Sequence, residues 1–65
     1  MRIFVNGDQH EVKPRTLALA LEELGYGGKK IATALNGRFV AAGARPTTDL
    51  ADGDRVEIVA PMQGG

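Results

Sequence analysis

Asp52-Gly53-Asp54-Arg55-Val56-Glu57-Ile58-Val59-Ala60-Pro61-Met62-Gln63-Gly64-Gly65 reads as a turn, a strand and an ending. Val56, Ile58 and Ala60 alternate with Arg55, Glu57 and Val59. That period of two belongs to a strand with one buried face. Asp-Gly-Asp is turn chemistry, because a short acidic side chain can bond nearby backbone and glycine accepts positive φ. Pro61 has no N–H for a ladder, so the sheet releases the chain there. The expected division is a folded domain over residues 1–60 and a free tail over 61–65, Pro61 to Gly65.

Working outward, that strand needs partners. Met1, Ile3 and Val5 share one face of an N-terminal strand, with Arg2 and Phe4 on the other. Asn6-Gly7 is the favoured pair for a two-residue hairpin, since both positions tolerate positive φ. Gln9 to Lys13 returns as a second strand with Val12 inward. Thr16 can cap a helix through its hydroxyl. Leu17, Ala20, Leu21 and Leu24 then fall on one helical face, and Gly25 ends the helix. Leu19 points away from that face.

Ile31 to Leu35 reads as a third strand, with Ile31, Thr33 and Leu35 opposite Ala32 and Ala34. Asn36-Gly37 repeats the hairpin signal, and Arg38 to Val40 continues briefly. Gly43, Pro46 and two threonines make 41–51 irregular, with room for one short strand or turn. The order is ββαββ with short extras. In a chain of 65 residues this predicts an α+β β-grasp: a mixed sheet of four to five strands on one short helix, the last strand beside the first. A chain of this length buries only about 60% of its unfolded surface, so its core is thin.

Composition excludes several functions. With no cysteine there are no disulfides, thiolate metal sites or cysteine nucleophile. Eight basic and eight acidic residues cancel, so no global field draws nucleic acid or an anionic membrane. The charge is nevertheless uneven. Residues 1–48 carry seven basic against four acidic residues, net +3, and residues 49–65 carry one against four, net −3. The N-terminus is broken too early by Gly7-Asp8 to read as a secretory signal. No apolar run approaches membrane-spanning length. The expectation is a soluble cytoplasmic protein.

Candidate chemistry within the domain is sparse. His10 is a lone histidine without a positioned partner. Asp52-Gly53-Asp54 lacks the remaining ligands of a calcium loop. Glu22 and Glu23 read as solvated helix charges. Gly27-Gly28-Lys29-Lys30 fails the phosphate-loop spacing at Glu23 and Lys30. No catalytic residue and no metal site is expected.

The C-terminal Gly64-Gly65 differs in kind. Glycine has no Cβ, so the pair can thread a narrow cleft and present the α-carboxylate to another protein's catalytic groups. A carboxylate is a poor electrophile and needs activation, for instance as an acyl-adenylate, before a sulfur or nitrogen nucleophile attacks.

Three stretches together resemble the ThiS sulfur-carrier family, covering essentially the whole chain. One is the N-terminal hairpin followed by Thr16-Leu17 and the helix through Leu24-Gly25. Another is Ile31-Ala32-Thr33-Ala34-Leu35-Asn36-Gly37-Arg38-Phe39-Val40. The third is Leu50-Ala51-Asp52-Gly53-Asp54-Arg55-Val56-Glu57-Ile58-Val59 running on to Gly64-Gly65. Leu19 and the 41–46 loop, which has no aromatic residue, depart from the family pattern.

The resemblance implies a ubiquitin-like fold and a carrier that is not itself an enzyme. It implies that a ThiF-type adenylyltransferase uses ATP and magnesium, neither bound by this chain, to adenylate Gly65. A cysteine desulfurase or sulfurtransferase relay then converts Gly65 to a thiocarboxylate, which gives its sulfur to thiazole synthase for thiamin. Gly64, Gln63 and Met62 would thread the partner's active site. Carriers for molybdopterin, tRNA thiolation or cysteine synthesis share this chemistry, and a ubiquitin-like modifier or an interaction module with an inert tail remain alternatives. With Ile3, Val5, Leu35, Val56 and Ile58 facing the helix, Phe4, Ala32, Ala34 and Val59 lie on the open face of the sheet. They form the expected docking patch for the activating enzyme.

Overall fold

The computed structural model describes residues 1–13 and 15–60. Strands β1 (Arg2–Val5) and β2 (Asp8–Glu11) form an antiparallel hairpin, Phe4 opposite Gln9. Asn6 and Gly7 take φ 50° and 89°, the two positive values this turn requires. Below the hairpin, the Met1 amino group donates to the Val12 carbonyl at 2.8 Å, and the Val12 N–H donates to the Met1 carbonyl at 2.9 Å. Val12 is buried as expected, just beyond the end of β2.

Helix α1 (Leu17–Glu23) begins at Thr16, whose Oγ1 accepts the Leu19 N–H at 3.3 Å. Leu24 is its C-terminal cap, and Gly25 leaves the helix at φ 93°. At seven residues the helix is too short to persist alone. It is held by Leu17, Ala20 and Leu21, all buried against the sheet. Complete burial of Leu17 contributes roughly 1.5–3 kcal/mol.

Strands β3 (Ala32–Leu35) and β4 (Arg38–Val40) make the second hairpin, again through positive-φ Asn36 and Gly37. The segment 41–51, read from sequence as irregular, contains a 3₁₀ helix at Ala42–Thr47 with Pro46 inside it. That short helix contacts α1. Proline lacks the N–H that a longer α-helical ladder would demand, which suits a short 3₁₀ piece. Asp49 then bridges to Thr16, through Leu17 N–H to the Thr48 carbonyl and Leu50 N–H to the Arg15 carbonyl.

Strand β5 (Arg55–Val59) completes one mixed sheet in the order β2-β1-β5-β3-β4. It runs parallel to β1, with Val5 beside Val56, and antiparallel to β3, with Thr33 opposite Ile58. The last strand is thus central and lies beside the first. Ile3, Val5, Val40, Val56 and Ile58 join the buried helix residues in one core, with Leu35 packed at its margin.

Candidate functional site

The last described residues are those of β5, the central strand, and Ala60 after it. Met62, Gln63, Gly64 and Gly65, the residues expected to reach a partner's active site, lie outside the described residues, as does Pro61. What is described is the platform that carries them. Two asparagines fix β5 from either side. Asn6 Oδ1 accepts the Ile58 N–H at 2.8 Å, while its Nδ2 donates to the Ile58 carbonyl at 3.1 Å. Asn36 Oδ1 accepts the Arg55 N–H at 2.9 Å, and the Asn36 N–H donates to the Arg55 carbonyl at 2.7 Å. Each Asn-Gly turn therefore continues its own strand's ladder onto β5 with a side chain.

The acidic turn before β5 is occupied by the same kind of work. Asp52 Oδ1 accepts the Arg2 N–H at 2.7 Å. Asp54 accepts from Ala51 N–H at 2.7 Å and from Asn36 Nδ2 at 3.0 Å. These carboxylates are structural acceptors. Among the described residues no three His, Cys, Asp or Glu side chains are placed to hold a metal ion.

The open face has a shape the sequence reading only partly captured. Ala32 lies opposite Val59, and Ala34 lies between Glu57 on β5 and Phe39 on β4. Phe39 is 73% exposed and Val59 is 63% exposed, the two most exposed of the large hydrophobic side chains among the described residues. Phe39 was absent from the expected patch. Its place was nonetheless readable: a two-residue Asn36-Gly37 loop pairs Leu35 with Arg38, which puts Phe39 opposite Ala34. Phe4 is on the same face but half-buried, and Arg55 stands beside it on β5. The expected four residues do not form one patch. The continuous apolar surface is Ala32, Ala34, Phe39 and Val59, edged by Glu57, and Phe4 belongs to a separate region across Arg55 and Glu57.

Beyond the end of this surface lies a groove of about 500 Å³ between the start of β3 and the 3₁₀ helix. Ile31 and Ala42 line it, together with Ala32 and Val59 from the open face and Lys29, Lys30 and Arg45. Arg45 is anchored: Nε donates to Thr33 Oγ1 at 2.9 Å and Nη2 to the Ile31 carbonyl at 2.6 Å. Thr33 is buried at 2% exposure, and its hydroxyl in turn donates to the Val40 carbonyl at 2.8 Å. This network, which joins the 3₁₀ helix to β3, has no signature in the sequence.

A sheet whose first and last strands run parallel at its centre, one helix across one face and an open opposite face define a ubiquitin-like β-grasp protein. The family model for ThiS matches residues 3–65. The chain belongs to the ThiS family. It is 40% identical over 63 residues to the sulfur carrier protein ThiS of Thermus thermophilus, covering 97% of this chain and 98% of that one. The crystal structure of a thiamine biosynthesis protein (ThiS) from Geobacter metallireducens superposes with a TM-score of 0.82 at 29% identity, covering both chains fully. The solution structure of a thiamine biosynthesis protein from the same organism gives 0.77, also at 29% identity, covering all of this chain and 88% of that one. No helix among the described residues is long and apolar enough to cross a membrane.

Proposed function

We propose that this protein is a sulfur carrier for thiazole formation in thiamin biosynthesis, and that Gly65 is the residue that carries the sulfur. The observation that bears most weight is that the family match runs through to the last residue, Gly65. The carrier name of the Thermus relative and the thiamine names of the Geobacter structures favour thiamin over the other sulfur-accepting pathways.

In this reading the Gly65 carboxylate attacks the α-phosphorus of ATP, held with magnesium by a ThiF-type adenylyltransferase, and pyrophosphate leaves. The terminal sulfur of a persulfide carried by a cysteine desulfurase or sulfurtransferase relay then attacks the acyl-adenylate and AMP leaves; a second thiol attacks the relay-side sulfur of the resulting acyl disulfide, forms a disulfide with it and releases the thiocarboxylate. Thiazole synthase takes that sulfur in the cytoplasm. This chain supplies no catalytic group, only an accessible acyl carbon and a surface that delivers it. Gly64, Gln63 and Met62 pass through the partner's cleft, where the absence of a Cβ at Gly64 keeps the approach narrow. The open face at Ala32, Ala34, Phe39 and Val59 docks the activating enzyme, since contiguous exposed apolar surface marks interfaces. Intact-mass analysis after incubation with a ThiF-type enzyme, ATP and a sulfur source tests the reading.

A further inference from the structure

We infer that Asn36-Gly37 is a self-modification site, where the Gly37 backbone nitrogen attacks the Asn36 carboxamide and converts the residue to aspartate or isoaspartate, and that the fold shields the matching Asn6-Gly7 turn from the same reaction.

Both turns offer the nucleophile. Among the described residues neither the Gly7 nor the Gly37 N–H donates to an acceptor. Both glycines stand in open space, with nothing near the place a Cβ would take, so the nitrogen is unshielded. The turns differ in what holds the electrophile. The Asn6 carboxamide bonds both main-chain groups of Ile58, a buried residue of the central strand. Main chain in the middle of a sheet has no freedom to turn aside, so that clamp opens only with the strand end itself. The Asn36 carboxamide has one main-chain partner and one side-chain partner. Its Oδ1 accepts the Arg55 N–H at 2.9 Å, and its Nδ2 donates to Asp54 Oδ1 at 3.0 Å, both in exposed contacts. A surface carboxylate changes rotamer within nanoseconds, which frees Nδ2 with the sheet intact. The hairpins differ in the same sense. β4 has three residues and pairs only with β3 at the sheet's edge, whereas β2 has four and the main-chain pair of Met1 and Val12 extends its ladder. A short edge hairpin opens locally at less cost.

Once the carboxamide is free, Gly37 N–H gives its proton to water or hydroxide, the N–Cγ bond forms, the Cγ–Nδ2 bond breaks and ammonia leaves. Water then opens the five-membered imide. Cleavage of N–Cγ gives aspartate, and cleavage of the original peptide bond gives isoaspartate, with the chain rerouted through the side chain. The product does not fit its old place. A carboxylate replaces the donor that lay 3.0 Å from Asp54, and the other Asp54 oxygen is tied to the Ala51 N–H, so two like charges meet. Isoaspartate also adds a methylene to the main chain of the two-residue loop that sets Phe39 opposite Ala34, which disturbs the register of the open face.

The test is peptide mapping by mass, with isoaspartate separated chromatographically, after prolonged incubation in mildly alkaline buffer with and without urea. In urea both turns are expected to react at similar rates. In the folded chain Asn36 is expected to react about tenfold faster than Asn6, the difference being one of local opening. Equal rates in the folded chain, faster reaction at Asn6, no product at Asn36, or the same preference in urea overturns the inference. The product contact has its own readout. Asn36→Asp is expected to lower the thermal midpoint by about 4–8 °C. Asn36→Asp/Asp54→Asn is expected to restore it, because the exchanged pair again sets one amide donor against one carboxylate. A paired variant as unstable as the single one overturns the clash with Asp54.

Discussion

The side-chain amide of Asn6 holds Ile58 by both backbone polar groups, accepting from its N–H at 2.8 Å and donating to its carbonyl at 3.1 Å. The ladder between β1 and β5 pairs Phe4 with Arg55 and Val5 with Val56, and the Asn6 backbone N–H continues it by donating to the Val56 carbonyl at 2.9 Å. The carboxamide then mimics one further strand residue. β5 is thereby fixed to within two residues of Ala60, the last described residue before the tail. The residue that makes the hairpin turn also fixes the last part of the central strand.

Asn6→Gly isolates this clamp, because glycine accepts the φ of 50° without strain. Loss of the two hydrogen bonds, with the Ile58 groups left to find other partners, is expected to cost about 1–3 kcal/mol in urea unfolding. Amide exchange at Ile58 should quicken more than at Val5. A change under about 0.5 kcal/mol with unaltered Ile58 protection would show that the clamp carries no stability.

Thr33→Val is expected to lose about 1–3 kcal/mol despite its near-isosteric shape. It strips the acceptor from Arg45 Nε and the donor from the Val40 carbonyl, both bonded to a hydroxyl at 2% exposure. The effects are coupled: Arg45→Met should cost less in the Thr33→Val background than in wild type. Strict additivity in thermal unfolding would remove the network as an account of how the 3₁₀ helix is held.

Phe39→Asp is expected to leave stability within about 0.5 kcal/mol of wild type, since the ring is 73% exposed. It should raise the activating enzyme's KM for the carrier with kcat unchanged. Phe4 is a poorer probe. It is half-buried, and its backbone N–H donates to the Asp54 carbonyl at 2.9 Å, so a charge there disturbs the β1–β5 junction as well. An unchanged KM for folded Phe39→Asp would exclude the open face as the docking surface.

Alternation in Met1–Val5 and Arg55–Ala60, the two Asn-Gly turns, the Thr16 cap and Gly25 made the elements legible, because each is a local preference that the fold leaves undisturbed. The neighbouring of β1 and β5 was reached through topology, not local signal. Arg45 was not legible. Its partners, Thr33 and Ile31, are 12 and 14 residues away in the chain, and a bond across that separation leaves no period in the sequence. The 3₁₀ helix was missed for a related reason: Gly43 and Pro46 are breakers on their own, and only packing against α1 and the Arg45 anchor orders them. Phe39 was an omission of register, since the hairpin rule that located β4 also places it opposite Ala34.

The central claim concerns Gly65, and intact-mass analysis addresses it most directly. After incubation with a ThiF-type enzyme, ATP and a sulfur source, the chain should gain the mass of one sulfur less one oxygen. Fragmentation should place the gain on Gly65, and a chain lacking Gly65 should fold normally and gain nothing. An unchanged mass, from an enzyme proven active on another carrier, or a gain that survives deletion of Gly65, would contradict the account.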